Sequence, residues 1–408
     1  MYFEYPKLRY GLEATPVVRE GKQFFLLSDR LDYQEESLII SPAVLRLMAE
    51  MNGENSLRDL QAAYMKMTGD LIHMNELDAI VRLLDDRLFL DGDRYRGFIE
   101  GERLRFHEDP VRRMHHAGKS YPQDPKALRE ELGKLFDRES ASPPVSKMGF
   151  DGRRLVALLA PHIDIRAGAS CFVRAYKACM ETVPPEIWVV LGTGHEPIEN
   201  YFALLDKDFE TPLGVVPCDH ESCDYLNRRA SRDLFAGSYN HRKEHSIEFQ
   251  AVFLALVQPS AKIVPVLCSF SEDEWKQDRT YIDEVAALLK DLVRVRGGSV
   301  GFLASVDLAH VGPRYGDAFS PTQSTVAHHL SADRELLTII EGCRAGEFIH
   351  EIVGDGNSRK ICGVAPIYTM AKILEGTARG EVLDHSFAAA DNQNSFVTFA
   401  SMAFYGLE

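Results

Sequence analysis

Three short apolar runs in the sequence each end beside a residue that can bind a metal or transfer a proton. These runs are 155–161 before His162, 187–194 before His195, and 299–306 before Asp307 and His310. Apolar runs of this length that are rich in Val, Ile and Leu and closed by Gly or Pro are typical of buried strands. In open α/β sheets, ligands bind at the carboxyl ends of the strands. The pattern therefore predicts a single site where several strands end.

The second half of the chain alternates between strand-like and helical segments. Strands are predicted at 154–161, 187–193, 262–268, 299–306 and 395–405. Helices are predicted at 168–182, 245–258, 275–293, 321–341 and 363–375. Such alternation indicates an α/β fold in which helices cover a largely parallel or mixed sheet.

A chain of 408 residues exceeds what one hydrophobic core usually supports, so two domains are expected. Residues 1–100 contain two strand-like runs, three helical segments and an Asp-Gly turn signal within residues 87–94. This pattern predicts a small winged-helix-like α+β domain. We place a linker at 101–107 and the α/β domain at 108–408, and residues 138–146 have loop composition.

Charge and composition exclude several kinds of partner. The net charge is −15, and residues 1–100 carry 12 Lys and Arg against 18 Asp and Glu, so phosphate backbones and anionic membranes would be repelled. No run approaches the roughly 18 apolar residues of a membrane span. The seven cysteines are scattered and include no Cys-x-x-Cys pair, which is typical of reduced thiols. We expect a cytoplasmic protein with no nucleic-acid or membrane partner.

The residues that follow the predicted strands have recognisable chemical roles. Pro161 ends a strand, so His162 should lie at the edge of the sheet rather than in its interior. Two glycines before His195 allow a tight turn that brings the backbone close to a ligand. Asp307 and His310 can form a pair in which the carboxylate orients the imidazole for acid–base catalysis.

Residues 241–248 permit two interpretations. The sequence HRKEH at 241–245 matches the inverted zinc-peptidase pattern H-x-x-E-H, which predicts zinc-dependent hydrolysis through His241 and His245. However, residues 236–240 are rich in turn formers, which favours a helix that begins at or after Glu244. In that case His245 and Glu248 share one face of the first turn, where the helix dipole favours an anion.

A series of short motifs makes residues 108–408 resemble the Memo family, the B component of the AmmeMemoRadiSam system, whose fold is similar to class III extradiol dioxygenases. The motifs occur in the family's order: HAG at 116–118, APH at 160–162, LG-x-x-H at 191–195, EHSIE at 244–248, S-x-D-x-x-H at 305–310, and ICG at 361–363. The resemblance implies a mononuclear metal site with His162, His195 and Cys362 as ligands. It also implies that Asp307, His310 and His245 face the same pocket as catalytic groups.

The chain departs from the related enzymes in ways that affect the expected chemistry. The dioxygenases use a carboxylate where Cys362 stands here, and a soft thiolate favours iron or copper, with zinc also compatible. Asp164 and Glu196 occupy positions where other side chains are common in the family. Together with Glu248, they predict a pocket that binds a polar or cationic small molecule.

The N-terminal pattern resembles the small PqqD-like peptide-recognition domains that accompany radical enzymes. The resemblance implies a peptide substrate and a radical SAM protein as partners. The function expected from the whole chain is redox or oxygen chemistry at the metal. The alternative is a non-catalytic metal-binding scaffold that presents a peptide or partner to a radical SAM enzyme.

Overall fold

A computed structural model describes residues 4–31, 33–34, 36–140 and 154–407. The chain divides into two compact units, Met1–Glu108 (unit 1) and Asp109–Glu408 (unit 2). Of the predicted loop at 138–146, residues 141–146 lie outside the described residues.

Unit 1 combines an antiparallel sheet with helices. Its elements are β1 (Leu12–Arg19), β2 (Lys22–Asp29), β3 (Leu38–Ile40), α1 (Pro42–Ala49), α2 (Leu57–Thr68), α3 (Met74–Asp86) and α4 (Asp93–Glu108). The strands pair in the order β1-β2-β3. Ser41 and Ser56 cap α1 and α2 by accepting backbone N–H groups of the first turn, which is why these helices begin where they do.

Two predictions for unit 1 were wrong. Residues 87–94 do not form a β-hairpin wing, because Leu90 makes one isolated bridge with Leu8 and α4 already begins at Asp93. The predicted linker at 101–107 is instead part of α4, which ends at Glu108. The polar composition of residues 101–107 predicts a loop, but charged residues with long side chains, such as Arg and Glu, are also good helix formers.

Unit 2 contains the predicted alternation of strands and helices, with several additional elements. Its strands are β4 (Val111–Arg112), β5 (Leu155–Ala160), β6 (Ile187–Thr193), β7 (Phe202–Leu204), β8 (Asp208–Thr211), β9 (Gly214–Val216), β10 (Lys262–Cys268), β11 (Val300–Ser305), β12 (His310–Val311), β13 (Ala378–Ala389) and β14 (Phe396–Gly406). Its helices are α5 (Pro125–Ser140), α6 (Ala169–Glu181), α7 (His220–Arg229), α8 (His245–Val257), α9 (Glu272–Val295), α10 (Gln323–Glu341), α11 (Ala345–Asp355) and α12 (Val364–Leu374). Short 3₁₀ turns span Ser238–Arg242 and Pro313–Tyr315.

The predicted α/β class with a mixed sheet is confirmed. Within the described residues the main sheet has the order β12-β14-β5-β11-β6-β10-β7, and β13 pairs with the outer side of β14. Strands β5, β11, β6 and β10 run parallel, and β14 runs antiparallel to β5. A separate small sheet has the order β4-β8-β9.

The central strands are buried on both faces. Every residue of β6 is buried, and its alternate side chains Val189 and Leu191 pack in the core formed with α9 and α12. Trp188 points the other way and donates its indole N–H to Gln258 at the end of α8. Alternation between two covered faces explains why the sequence runs are continuously apolar rather than amphipathic.

In the described part of the chain, no helix combines the length and apolar character needed to cross a lipid bilayer.

Gly192 allows the start of α8 to pack against the end of β6. A Cβ at this position would lie 2.5 Å from Cγ1 of Ile247 and 2.8 Å from Oγ of Ser246. We predict that Gly192→Ala lowers the free energy of unfolding by about 1–3 kcal/mol, because the packed neighbours must move. Urea unfolding measures the change.

Gly133→Ala is the matched control, because Gly133 lies in α5 and a Cβ there meets no heavy atom within 4 Å. It should leave stability unchanged or raise it by up to about 1 kcal/mol, the usual gain for Ala in a helix. Equal urea midpoints for the two variants would contradict the close packing at Gly192.

Candidate metal centre

The register of the parallel strands brings the ends of three of them to the same level. Ser305 of β11 pairs with Ala160 of β5 on one side and with Gly192 of β6 on the other. His162 lies two residues beyond Ala160, and His195 lies three residues beyond Gly192. The two imidazole ring centroids are therefore only 5.0 Å apart.

A third imidazole joins this pair from the first residue of α8. The ring of His245 stacks on that of His195, with centroids 4.8 Å apart and an interplanar angle of 17°. His162, His195 and His245 each offer one ring nitrogen, and these three atoms lie within 4.8 Å of one another. Ligand atoms about 2.1 Å from a shared ion lie roughly 3–4 Å apart, so the three imidazoles are close enough for one metal ion.

Cys362 approaches the imidazoles from the segment before α12. Its Sγ lies 3.5 Å from Nε2 of His162 and 3.7 Å from the carbonyl oxygen of Asp307. A Cβ on Gly363 would lie 2.7 Å from Val306 and 2.9 Å from the Asp307 oxygen, so this glycine permits the close approach. Burial alone would raise the pKa of the Cys362 thiol, but His162 and hydrogen bonds from both His162 and His195 lower it to about 7. The thiolate, which is the form that binds metals, is thus accessible near neutral pH.

Glu244 orients two of the imidazoles. Its buried carboxylate accepts the backbone N–H of His195 at 3.1 Å, lies 3.1 Å from Nδ1 of His195, and lies 3.2 Å from Nδ1 of His245. Contacts at both Nδ1 atoms leave the Nε2 atoms to face the cluster, an arrangement common in metal sites. Nδ1 of His162 lies 3.0 Å from the Ser305 carbonyl oxygen, which has the same effect.

The charges around the imidazoles favour a cation. Burial works against ionisation of Glu244, but His195 and His245 hold the pKa of this carboxyl well below its usual range. Burial also works against protonation of His195, yet the Glu244 carboxylate raises the pKa of that imidazole well above its usual value. Burial lowers the pKa of His245 to about 3. The negative charges of Glu244 and the Cys362 thiolate would stabilise a bound metal ion.

Glu244 is not among the site residues predicted from the sequence, although its position before a helix gives a reason to include it. Glu244 immediately precedes α8 and caps it by accepting the N–H of Ser246 at 2.9 Å. An acidic residue at the start of a helix whose first residue is a candidate ligand can both cap the helix and bind the imidazole.

Asp307 and His310 are near the cluster but do not form the predicted hydrogen-bonded pair. Oδ1 of Asp307 accepts the backbone N–H of His162 at 3.1 Å, and Oδ2 lies 3.6 Å from Nε2 of that imidazole. Nδ1 of His310 instead lies 3.0 Å from the Leu308 carbonyl oxygen. Burial raises the pKa of Asp307 to about 6. Asp307 thus positions His162, and the backbone positions His310.

Glu248 does not face the cluster, which corrects its predicted role in cofactor binding. Its fully buried carboxylate forms an ion pair with Arg112, accepts the Tyr121 hydroxyl, and accepts the backbone N–H groups of His115 and His116. Burial alone would raise the pKa of Glu248, but Arg112 and the other donors lower it to about 2. The carboxylate holds the segment after β4 against the first turn of α8.

The two remaining predicted cofactor-binding carboxylates have different positions. Asp164 is exposed and accepts the N–H groups of Arg166 and Ala167, so it caps a local turn and is not part of the cluster. Glu196 lines a cavity of about 360 Å³ together with His195 and Cys362. Glu272 and Glu274 also line this cavity, which therefore has an acidic wall suited to a polar or cationic ligand.

The zinc-peptidase interpretation is wrong for this fold. His241 lies in the 3₁₀ turn Ser238–Arg242, and His245 begins a separate helix, so the two imidazoles are not one turn apart on the same helix. Nε2 of His241 lies 2.8 Å from the Ala203 carbonyl oxygen, and burial lowers the pKa of this imidazole to about 4. His241 is a buried structural residue.

Residues 112–403 match the sequence profile of a family described as Memo-like protein. This range includes every residue of the cluster. The chain belongs to the Memo family. The fold of unit 2 is consistent with the extradiol dioxygenase-like architecture expected for that family.

Relatives of this Memo family member span most of its length. A MEMO1 family protein of Aquifex aeolicus is 28% identical over 372 residues, covering 91% of this chain and 93% of the relative. A MEMO1 family protein of Thermus thermophilus is 28% identical over 331 residues, covering 81% and 93%. One from Methanopyrus kandleri is 28% identical over 299 residues, covering 71% and 96%. The Aquifex match exceeds the length of unit 2 and therefore includes much of unit 1.

We predict that Arg112→Met lowers the free energy of unfolding by about 3–5 kcal/mol, because it leaves the Glu248 carboxylate buried without its cation. Urea unfolding at neutral pH measures the loss. Lys134→Met is the control, since it removes an exposed ion pair with Glu130 on α5 and should change stability much less. Equal losses in the two variants would show that the buried pair does not stabilise unit 2.

The low pKa of Glu248 also predicts a pH dependence of stability. Its pKa is about 2 in the folded protein against an ordinary value of 4.5, so its contribution is present above pH 4.5 and is lost as pH falls toward 2. In Glu248→Gln, the urea midpoint should therefore fall less steeply between pH 5 and pH 3 than in the unmodified protein. Parallel pH profiles would contradict this assignment.

Proposed function

We propose that this Memo family member binds a mononuclear transition metal and uses it for redox or oxygen chemistry on a small polar or cationic substrate. The observation that supports the proposal is the convergence of His162, His195, His245 and Cys362 at the ends of parallel strands. These donors come from four separate segments of the chain, and Glu244 orients two of them.

The donor set fits a metal of intermediate or soft character. Imidazoles bind iron, copper and zinc, and a thiolate shifts preference toward copper, zinc or thiolate-bound iron over magnesium or calcium. We propose iron or copper, with zinc as the redox-inactive alternative. A bound redox metal would supply electron transfer and the capacity to activate dioxygen, while the protein supplies orientation and proton transfer.

The surrounding residues are proposed to control the substrate. Glu196 and the carboxylates of α9 attract a polar or cationic group into the cavity beside His195 and Cys362. His310, held by the Leu308 carbonyl oxygen, serves as the acid–base group. His245 is either a third imidazole ligand or a hydrogen-bond acceptor for the substrate, because its Nδ1 lies against the Glu244 carboxylate and its other ring nitrogen faces the same centre as His162 and His195.

A metal-loading experiment tests the proposal. The chelator-treated protein is loaded with iron(II) or copper, and dioxygen consumption is followed in the presence of candidate polar substrates and a reductant. His162→Ala should lose one equivalent of the loaded ion and the dioxygen consumption. His241→Ala, a buried histidine outside the centre, should retain both. An ion and activity that survive in His162→Ala would refute the proposed centre.

The role of the thiolate has its own prediction. Cys362→Ser should weaken binding of the tightest iron(II) equivalent by about 10–100-fold, because a neutral hydroxyl replaces an anionic ligand. Cys343→Ser, at a buried cysteine just before α11, is the matched control and should leave the affinity unchanged. Equilibrium dialysis with metal analysis compares the variants. If both serine variants match the unmodified protein, the anionic ligand is not Cys362.

A non-catalytic scaffold is the second candidate function, favoured by the architecture of unit 1. In the described part of that unit, β1 pairs with β2 along one edge, and an extended peptide can add to the other edge by backbone hydrogen bonds. We propose that such a peptide would be presented to a radical SAM protein in an AmmeMemoRadiSam-type system. Peptide binding that persists in His162→Ala, together with no metal-dependent dioxygen consumption, would favour the scaffold over the enzyme.

A further inference from the structure

A second group of metal-binding side chains lies elsewhere in unit 2. Asp206 follows β7, Cys218 lies two residues before α7, and His220 and Cys223 occupy the first turn of α7. The three-residue spacing of His220 and Cys223 places them on the same face of the helix. Two thiols, one imidazole and one carboxylate therefore come from two segments of the chain, at 206 and at 218–223.

The distances within this group are short. Sγ of Cys218 lies 3.5 Å from Sγ of Cys223 and 3.8 Å from Oδ1 of Asp206. Nδ1 of His220 is hydrogen-bonded to Asp206. One ligand atom from each of Asp206, Cys218 and His220 lies within 4.8 Å of the other two, and Cys223 extends the group toward the interior.

We propose that Asp206, Cys218, His220 and Cys223 form a second metal site that binds one zinc ion. The donor set of two thiolates, one imidazole and one carboxylate suits the borderline-soft character of Zn²⁺. With zinc–sulfur bonds of about 2.3 Å, two sulfurs of a tetrahedral site lie about 3.8 Å apart, and a sulfur and an oxygen lie about 3.5 Å apart. The observed separations of 3.5 and 3.8 Å are close to these edges.

The partial exposure of two of the four donors gives the ion a route into the site. Cys218 and Cys223 are almost completely buried, whereas the side chains of His220 and Asp206 are about half exposed. An ion can thus enter from the side of His220 and Asp206 and reach the sulfurs without passage through the core. Once bound, it would tie α7 to the segment between β7 and β8, which is a structural role.

This site is distinct from the imidazole centre. Cys218 forms a parallel bridge with Ile263, near the amino end of β10. His195 follows the carboxyl end of β6, which runs parallel to β10. The two groups therefore lie toward opposite ends of the strands of the main sheet, and neither requires the other to bind metal.

Cobalt(II) is a suitable probe, because thiolate-to-cobalt charge transfer gives an absorption band that imidazole and carboxylate ligands do not give. The full chain carrying Cys362→Ser, reduced and freed of metal, is titrated with Co²⁺, so that the first centre contributes no thiolate. We expect one equivalent to develop the band and Zn²⁺ to displace it. Adding His220→Asn, an exposed substitution, should weaken this binding about tenfold or more, and adding Cys223→Ser should reduce the intensity of the band, because Cys218 is then the one thiolate ligand left.

His350→Asn, on the exposed face of α11, and Cys343→Ser are the matched controls and should leave the titration unchanged. Zn²⁺ should also slow the alkylation of Cys218 and Cys223 in the unmodified protein at a urea concentration that exposes these buried thiols to the reagent, as read by peptide mass spectrometry, which does not depend on any variant folding. Absence of the cobalt band, or equal alkylation with and without Zn²⁺, would overturn the site. Neither result depends on dioxygen consumption, so a failure here is separable from a failure of the proposed redox function.

Discussion

The parallel register of β5, β11 and β6 is the constraint on which the first metal centre depends. Because Ala160, Ser305 and Gly192 are level with one another, the residues that follow each strand leave the sheet at the same height. His162, Asp307 and His195 are then neighbours without any long-range adjustment of the chain. Burial of both faces of the sheet keeps this register, since a shift by one residue would exchange the side chains that face the two helical layers.

Two buried carboxylates at the start of α8 fix the positions of the side chains and segments that converge there. Glu244 binds the Nδ1 sides of His195 and His245, and Glu248, one turn later, binds Arg112. The Arg112 guanidinium also donates to the carbonyl oxygens of His241 and Glu244, so each of its three nitrogens has a hydrogen-bond partner although the side chain is buried. The first turn of α8 is therefore held on both sides, and His245 with it.

The resulting centre combines a soft donor with an acidic cavity, and this combination limits its chemistry. Imidazoles and a thiolate select transition metals, whereas carboxylates along the cavity select polar or positively charged ligands. The sequence alone predicted His162, His195 and Cys362 from a family resemblance, and the structure places them together with His245. Asp164 and Glu248, which were predicted as cofactor-binding carboxylates, are engaged in local or structural hydrogen bonds instead.

The amino-acid sequence by itself determined five strands and five helices of unit 2 and the Memo family membership, because buried strands and helix starts are encoded in local patterns of apolar residues, glycines and caps. Residues 187–193 and 262–268 were predicted as strands with the bounds that the structure has. Only the tertiary structure decided the partners of buried polar groups: Asp307 with His162 rather than His310, and Glu248 with Arg112. These pairings join residues far apart in the chain, and a carboxylate is satisfied by whichever donor the packed fold places nearest, which no local pattern specifies.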